Sequence, residues 1–160
     1  MKHLITASIA ALILSACVSK QDVAITDVEP AFMPASIIVA IAAEHSDFTP
    51  VEVQKRVRGD RVHYDVEGTL PDNTEIAFDI LMDGITAHIV ETRRDLDWGD
   101  LPESIQTLVD ADEGIRPARI IESVQTDGAV IYEFFAPNAP VTPVFEIKSH
   151  EGKLEHLIDR

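Results

Sequence analysis

The chain has 160 residues, with 46% hydrophobic and 26% charged positions, enough apolar matter to bury one or two small cores and too much for wholesale disorder. Thirteen Lys and Arg stand against 28 Asp and Glu, a formal net charge of −15, so the surface repels phosphate backbones and nucleic acid is excluded as a partner. A single cysteine excludes an intrachain disulfide.

The first residues, MKHLITASIAALILSAC, join a basic start at Lys2 and His3 to an uncharged apolar run from Leu4 to Leu14. That run is roughly half of the ~20 residues a membrane-spanning helix needs, and small residues follow it, the pattern of an export signal. Leu14-Ser15-Ala16-Cys17 resembles the lipobox of bacterial lipoproteins. The resemblance implies a signal peptide over 1–16, cleavage before Cys17 and lipidation of Cys17, which becomes the membrane anchor. Val18 is not the aspartate that retains lipoproteins at the inner membrane. The implied address is the cell envelope, on the outer membrane facing the periplasm. The leader holds one basic residue and no acid, so 28 acidic and 12 basic residues remain after it. Residues 17–33 lack clean periodicity, end before Pro34 and are expected to be a tether.

Residues 34–91 and 102–160 share an order of turns and apolar spacings at an offset of 67 or 68. Pro34-Ala35-Ser36-Ile37 matches Pro102-Glu103-Ser104-Ile105. Val62, Tyr64 and Val66 match Val130, Tyr132 and Phe134, while Phe78 and Ile80 match Phe145 and Ile147. Such a period predicts a structural repeat. Each copy is expected to begin with a helix, because proline suits a first helical turn and Ile37, Ala40 and Ile41, or Ile105, Leu108 and Val109, form one apolar stripe. Four strands follow. Val62, Tyr64, Val66, Gly68 and Leu70 alternate with His63, Asp65, Glu67 and Thr69, the period of a strand with one dry face. Asp83-Gly84 and Asp127-Gly128 mark hairpins, and Pro71-Asp72-Asn73 and Pro137-Asn138 mark turns. The expected fold class is therefore α+β: a two-layer tandem repeat of helix plus four-stranded antiparallel meander, whose copies can align into one continuous sheet. A linker at 92–101 carries the only tryptophan, Trp98.

The tandem units, with Tyr64-Asp65-Val66 and Tyr132-Glu133-Phe134 on the second strand and an acidic-Gly hairpin before the last, resemble the PepSY-like group of bacterial exported proteins. That group's fold is similar to the beta-lactamase inhibitory protein. The resemblance implies a binding module, an inhibitor of an exported hydrolase or a sensor, with no enzymatic activity. Asp72 sits on a turn comparable to an inhibitory hairpin tip, but no surrounding motif matches and no role is carried over to it.

Enzyme signatures are lacking: there is no G-x-S-x-G, P-loop, H-E-x-x-H or dinucleotide fingerprint. No catalytic residue, cofactor or metal site is assigned. Asp95, Asp97 and Asp100 do not have the order of a calcium loop, and His88, His150 and His156 fall short of a zinc ligand set. Strand parity puts His63, Asp65 and Glu67 on the side away from the helix, joined in the second copy by Ile131, Glu133 and Phe135, with Val144, Glu146 and Lys148 alongside. An exposed Ile131 and Phe135 ringed by Glu133 and Glu146 is the expected surface for an exported protein or peptide, inhibition being one form of that binding. The second helix, the linker or the tether covering that face is the competing arrangement. Trp98 is either an interface anchor or a plug between the copies. The alternative functional class is an acidic cation-binding, sensory or structural envelope lipoprotein.

Overall fold

The computed structural model describes residues 23–112, 116–139 and 141–157. Cys17 and residues 1–16, the expected signal peptide, lie outside the described residues. The backbone forms strands β1 (Ala24–Asp27), β2 (Thr49–Arg58), β3 (Arg61–Thr69), β4 (Glu75–Asp83) and β5 (Thr86–Asp95). Strands β6 (Arg119–Gln125), β7 (Val130–Phe135), β8 (Phe145–His150) and β9 (Lys153–His156) follow. Helix α1 (Ala35–Glu44) precedes β2, and helix α2 (Glu103–Asp112) precedes β6.

All nine strands form a single sheet in chain order, each antiparallel to its neighbours. Short tips fix the neighbours β2–β3, β3–β4, β4–β5, β6–β7 and β8–β9. Gly84 and Gly128 turn two hairpins with φ of 59° and 79°, a region that a Cβ disfavours. At the turn after β3, Thr74 N–H donates to the Asp72 carboxylate at 3.0 Å, a bond that holds the Asp72 pKa below its ordinary value. Asp72 is a turn-former.

This architecture corrects the expected fold class. The described residues do not form a tandem pair of helix-plus-four-strand units; they form one nine-stranded antiparallel sheet with two short helices. Three features produce the difference. Strand β5 continues to Asp95, so residues 92–95 are strand, and it pairs with β6 from Glu91↔Gln125 to Asp95↔Ile121. Backbone hydrogen bonds thus cross the place where two units would part. Residues 24–27, expected as tether, pair with β2 as an additional edge strand. A register shift between Asp79 and Ile80 changes the parity of β5, so His88 stands opposite Leu81 while His156 stands opposite the core residue Ile147.

Both helices lie on the same side of the sheet, because paired residues in antiparallel strands share a face. Ile37 and Ile41 of α1 bury against Val53, Tyr64, Val66, Ile76, Phe78 and Ile80. Ile105 and Val109 of α2 bury with Leu101, Ile120, Tyr132, Phe134 and Ile147. Between these two cores, on the helix side, Arg94 Nε donates to Glu122 Oε1 at 2.7 Å. Trp98 packs on the second core with the Arg116 guanidinium 4.6 Å above its ring.

Candidate functional site

The opposite face of the sheet carries no described helix, and its side chains follow from register. One row across the strands reads Asp27, Gln54, Asp65, Asp79 and Glu91. The next reads Glu52, Glu67, Ala77, Arg93, Ser123, Ile131 and Lys148. Further along lie Asp95, Ile121, Glu133 and Glu146. The face is mostly charged because only the helix-covered side supplies an apolar partner for the alternate residues.

Within these rows the charges are stitched into a network. Arg93 donates to Asp65 at 2.6 Å, and Arg56 reaches both Asp65 at 3.1 Å and Asp79 at 3.0 Å. The His63 Nδ1 lies 2.8 Å from the Asp79 carboxylate. Arg119 grips Asp95 with two bonds, 2.9 Å from Nε and 2.8 Å from Nη2, which together with nearby Glu75 and Glu67 favour its charged form. Asp65 and Asp79 are largely shielded, with side chains 20% and 17% exposed, so this network is worth more than a surface pair. Asp65→Asn is expected to lower the unfolding free energy by about 1–2 kcal/mol, after allowance for the solvent reaching both arginines. Urea denaturation measures it, and an unchanged midpoint would show that the network is ornamental to stability.

Beside the network the face is hollowed into a cleft of about 250 Å³. Its lining includes Glu52, Glu67, Glu75, Asp95, Arg93 and Arg119. Three arginines line it, and each already has a carboxylate partner, Arg93 with Asp65, Arg94 with Glu122 and Arg119 with Asp95, whereas Glu52, Glu67 and Glu75 close no ion pair among the described residues, Glu52 accepting only a hydrogen bond from Gln54. The cleft is therefore anionic in excess, and it can take a cationic group.

Of the residues assigned from sequence, Ile131, Glu133, Phe135 and Glu146 lie on this face outside the lining of the cleft, and Trp98 packs against the second core instead. Phe135 is buried, 5% exposed, which corrects its expected place on an open apolar patch. The reason is its register partner Arg119, whose guanidinium carbon sits 5.9 Å from the ring centroid. Ile131 is half-buried between Ser123 and Lys148. Glu133 and Glu146 face each other directly across β7 and β8. Burial, followed by repulsion from Glu146 and Glu91, raises the Glu133 pKa despite the opposing pull of Arg93 and Arg119.

That direction sets a pH dependence. The folded state holds the Glu133 proton more tightly than the unfolded chain does. The site is therefore least costly below the ordinary carboxylate pKa, and its stability falls as pH rises through the raised value. Glu133→Gln is expected to raise stability at neutral pH by about 0.5–1 kcal/mol, the scale of a like-charged cross-strand pair, and to have little effect at acid pH. Thermal melts at both pH values check the sign.

Sequence parity identifies Glu67 as a residue of this face but misses Glu52, Glu75, Arg93 and Arg119. Arg93 stands in the stretch assigned to the linker, and its role follows only from β5 running on into the sheet. His88, His150 and His156 do not gather: His150 Nε2 lies 3.2 Å from the Asp127 carbonyl, and the other two are on opposite faces. Among the described residues no group of three or more His, Cys, Asp or Glu is placed to hold a metal ion. No described helix is long and apolar enough to cross a membrane. Comparison of the chain with protein-family models, with curated proteins and with solved structures finds no match, so the PepSY-like resemblance rests on its motifs alone.

Proposed function

We propose that the chain is a non-enzymatic binding module of the cell envelope, anchored by lipid at Cys17. Its open sheet face recognises an exported protein or peptide through a basic side chain. The observation that carries this reading is the cleft. Its three arginines are already held by Asp65, Glu122 and Asp95, and three carboxylates with no ion pair among the described residues, Glu52, Glu67 and Glu75, stand at its walls. A lysine or arginine entering there meets hydrogen-bond acceptors and excess negative charge, and the net charge of −15 adds long-range attraction for a basic partner.

Titration of the chain with extended peptides that differ only in one central residue, lysine or glutamate, tests the reading by calorimetry. The lysine peptide is expected to bind and the glutamate peptide to fail. Glu67→Lys combined with Glu75→Lys is expected to weaken the lysine peptide by about tenfold or more. Affinity indifferent to both changes would remove the cleft as the recognition surface.

A further inference from the structure

The two ends of the sheet differ chemically. Strand β1 is antiparallel to β2 and begins at Ala24, opposite Val57, beside the tip of the β2–β3 hairpin. Lys55, Arg56, Arg58 and Arg61 cluster there, a third of the 12 basic residues that follow the leader. Arg56 is spent on Asp65 and Asp79, but Lys55, Arg58 and Arg61 form no ion pair among the described residues. The neighbouring β4–β5 tip carries Ile85, which is 90% exposed. A shallow depression lined by Lys55, Val62, Tyr64, Pro34, Gly84 and Ile85 joins the two tips. The acids at this corner are Asp60 and Asp83, and Asp127 and Glu151 stand on the more distant tips toward β9.

Cys17 precedes Ala24 by seven residues, a span of at most about 25 Å when fully extended. A chain anchored there cannot hold this end far from the bilayer. We infer that the β2–β3 and β4–β5 tips form a membrane-facing surface. Lys55, Arg58 and Arg61 meet anionic phospholipid headgroups, and Ile85 dips into the interface. This inference rests on the lipid anchor at Cys17. It is independent of the peptide cleft.

The chemistry fits the partner in two ways. Exposed Arg58 and Arg61, with half-buried Lys55 behind them, complement phosphate, and their attraction to an anionic leaflet fades within a Debye length, about 8 Å at physiological salt. A strand as long as β2, ten residues, spans about 33 Å, so the opposite end of the sheet lies outside that field. The surface thereby sets the orientation of a strongly acidic body: the basic corner turns toward the membrane and the acidic remainder turns away from it.

The test uses the full lipidated chain in vesicles of phosphatidylglycerol and phosphatidylethanolamine. Mass spectrometry of the detergent-extracted protein first establishes acylation of Cys17. With the native cysteine acylated, Ile85→Cys and Asn138→Cys each introduce one free thiol, at opposite ends of the sheet, for a polarity-sensitive fluorophore. The label at 85 is expected to shift to the blue and to be quenched by headgroup-level nitroxide at least about threefold more than the label at 138. Arg58→Glu with Arg61→Glu is expected to abolish that difference, and raising salt from about 0.05 M to about 0.5 M to reduce it. Acylated protein with equal responses at 85 and 138 overturns the orientation alone. Absence of acylation overturns the anchor and the orientation together and leaves peptide binding at the cleft standing.

Discussion

Phe78→Ala and Phe134→Ala are each expected to lower the unfolding free energy by about 3–5 kcal/mol, a large part of the ~5–15 kcal/mol that a domain possesses. Both rings are fully buried, one in each core. Phe78 receives the edge of Phe48 at 5.1 Å and 86°, and Phe134 stacks on Phe145 at 4.4 Å. Truncation removes the transfer energy of the ring, leaves a cavity between helix and sheet and cancels an aromatic pair.

The coupling between the two substitutions tests the single sheet. Trp98 sits on the second core, so its fluorescence reports that half of the molecule. Because β5 and β6 exchange backbone hydrogen bonds from Glu91 to Asp95, Phe78→Ala in the first core is expected to move the Trp98 transition to lower denaturant together with the far-ultraviolet signal. A Trp98 transition that ignores Phe78→Ala would mean that the halves unfold separately, and the continuous sheet would have no cooperative meaning.

Gly68→Val is the second large effect, at least about 2–3 kcal/mol of destabilisation, with Gly68→Ala costing somewhat less. A Cβ on Gly68 would meet the backbone oxygen of Thr49, and the Phe48 ring at 2.6 Å and 2.8 Å. The carbonyl belongs to β2 and cannot yield without breaking the register next to the irregularity between Pro50 and Glu52. The ring cannot yield without leaving Phe78. Overpacking therefore acts on the sheet and on the first core together. Gly68 also lines the cleft. Denaturation of Gly68→Ala measures the steric term, and the double substitution Gly68→Ala with Phe48→Ala is expected to recover part of it. Full tolerance of valine at this position would contradict the close approach of β2, β3 and Phe48.

Local patterns were readable wherever one physical constraint acts on neighbouring residues. The alternation of Val62, Tyr64 and Val66 with His63, Asp65 and Glu67 lies in β3, because a pleated strand sends successive side chains to opposite faces. The stripes Ile37–Ile41 and Ile105–Val109 lie in α1 and α2, because burial recurs with the helical turn. The acidic-Gly tips turn hairpins for the reason already given at Gly84 and Gly128. Parity also assigned Asp65, Glu67, Glu133 and Glu146 to the open face without any knowledge of their partners.

The tertiary structure decided what local constraint could not. Pairing of β5 with β6 and of β1 with β2 joins strands distant in sequence, and their unpaired edges have no signature in composition. One irregularity between Asp79 and Ile80 reverses the side on which His88 stands. Phe135 reads as exposed from its parity, yet it is covered because Arg119 occupies the facing position on β6. The length, charge and alternation of this chain determined a sheet with one dry and one charged face. Register and long-range pairing, which depend on where strands end and meet, determined that nine strands make a single sheet and that Glu52, Glu67 and Glu75 converge on one cleft.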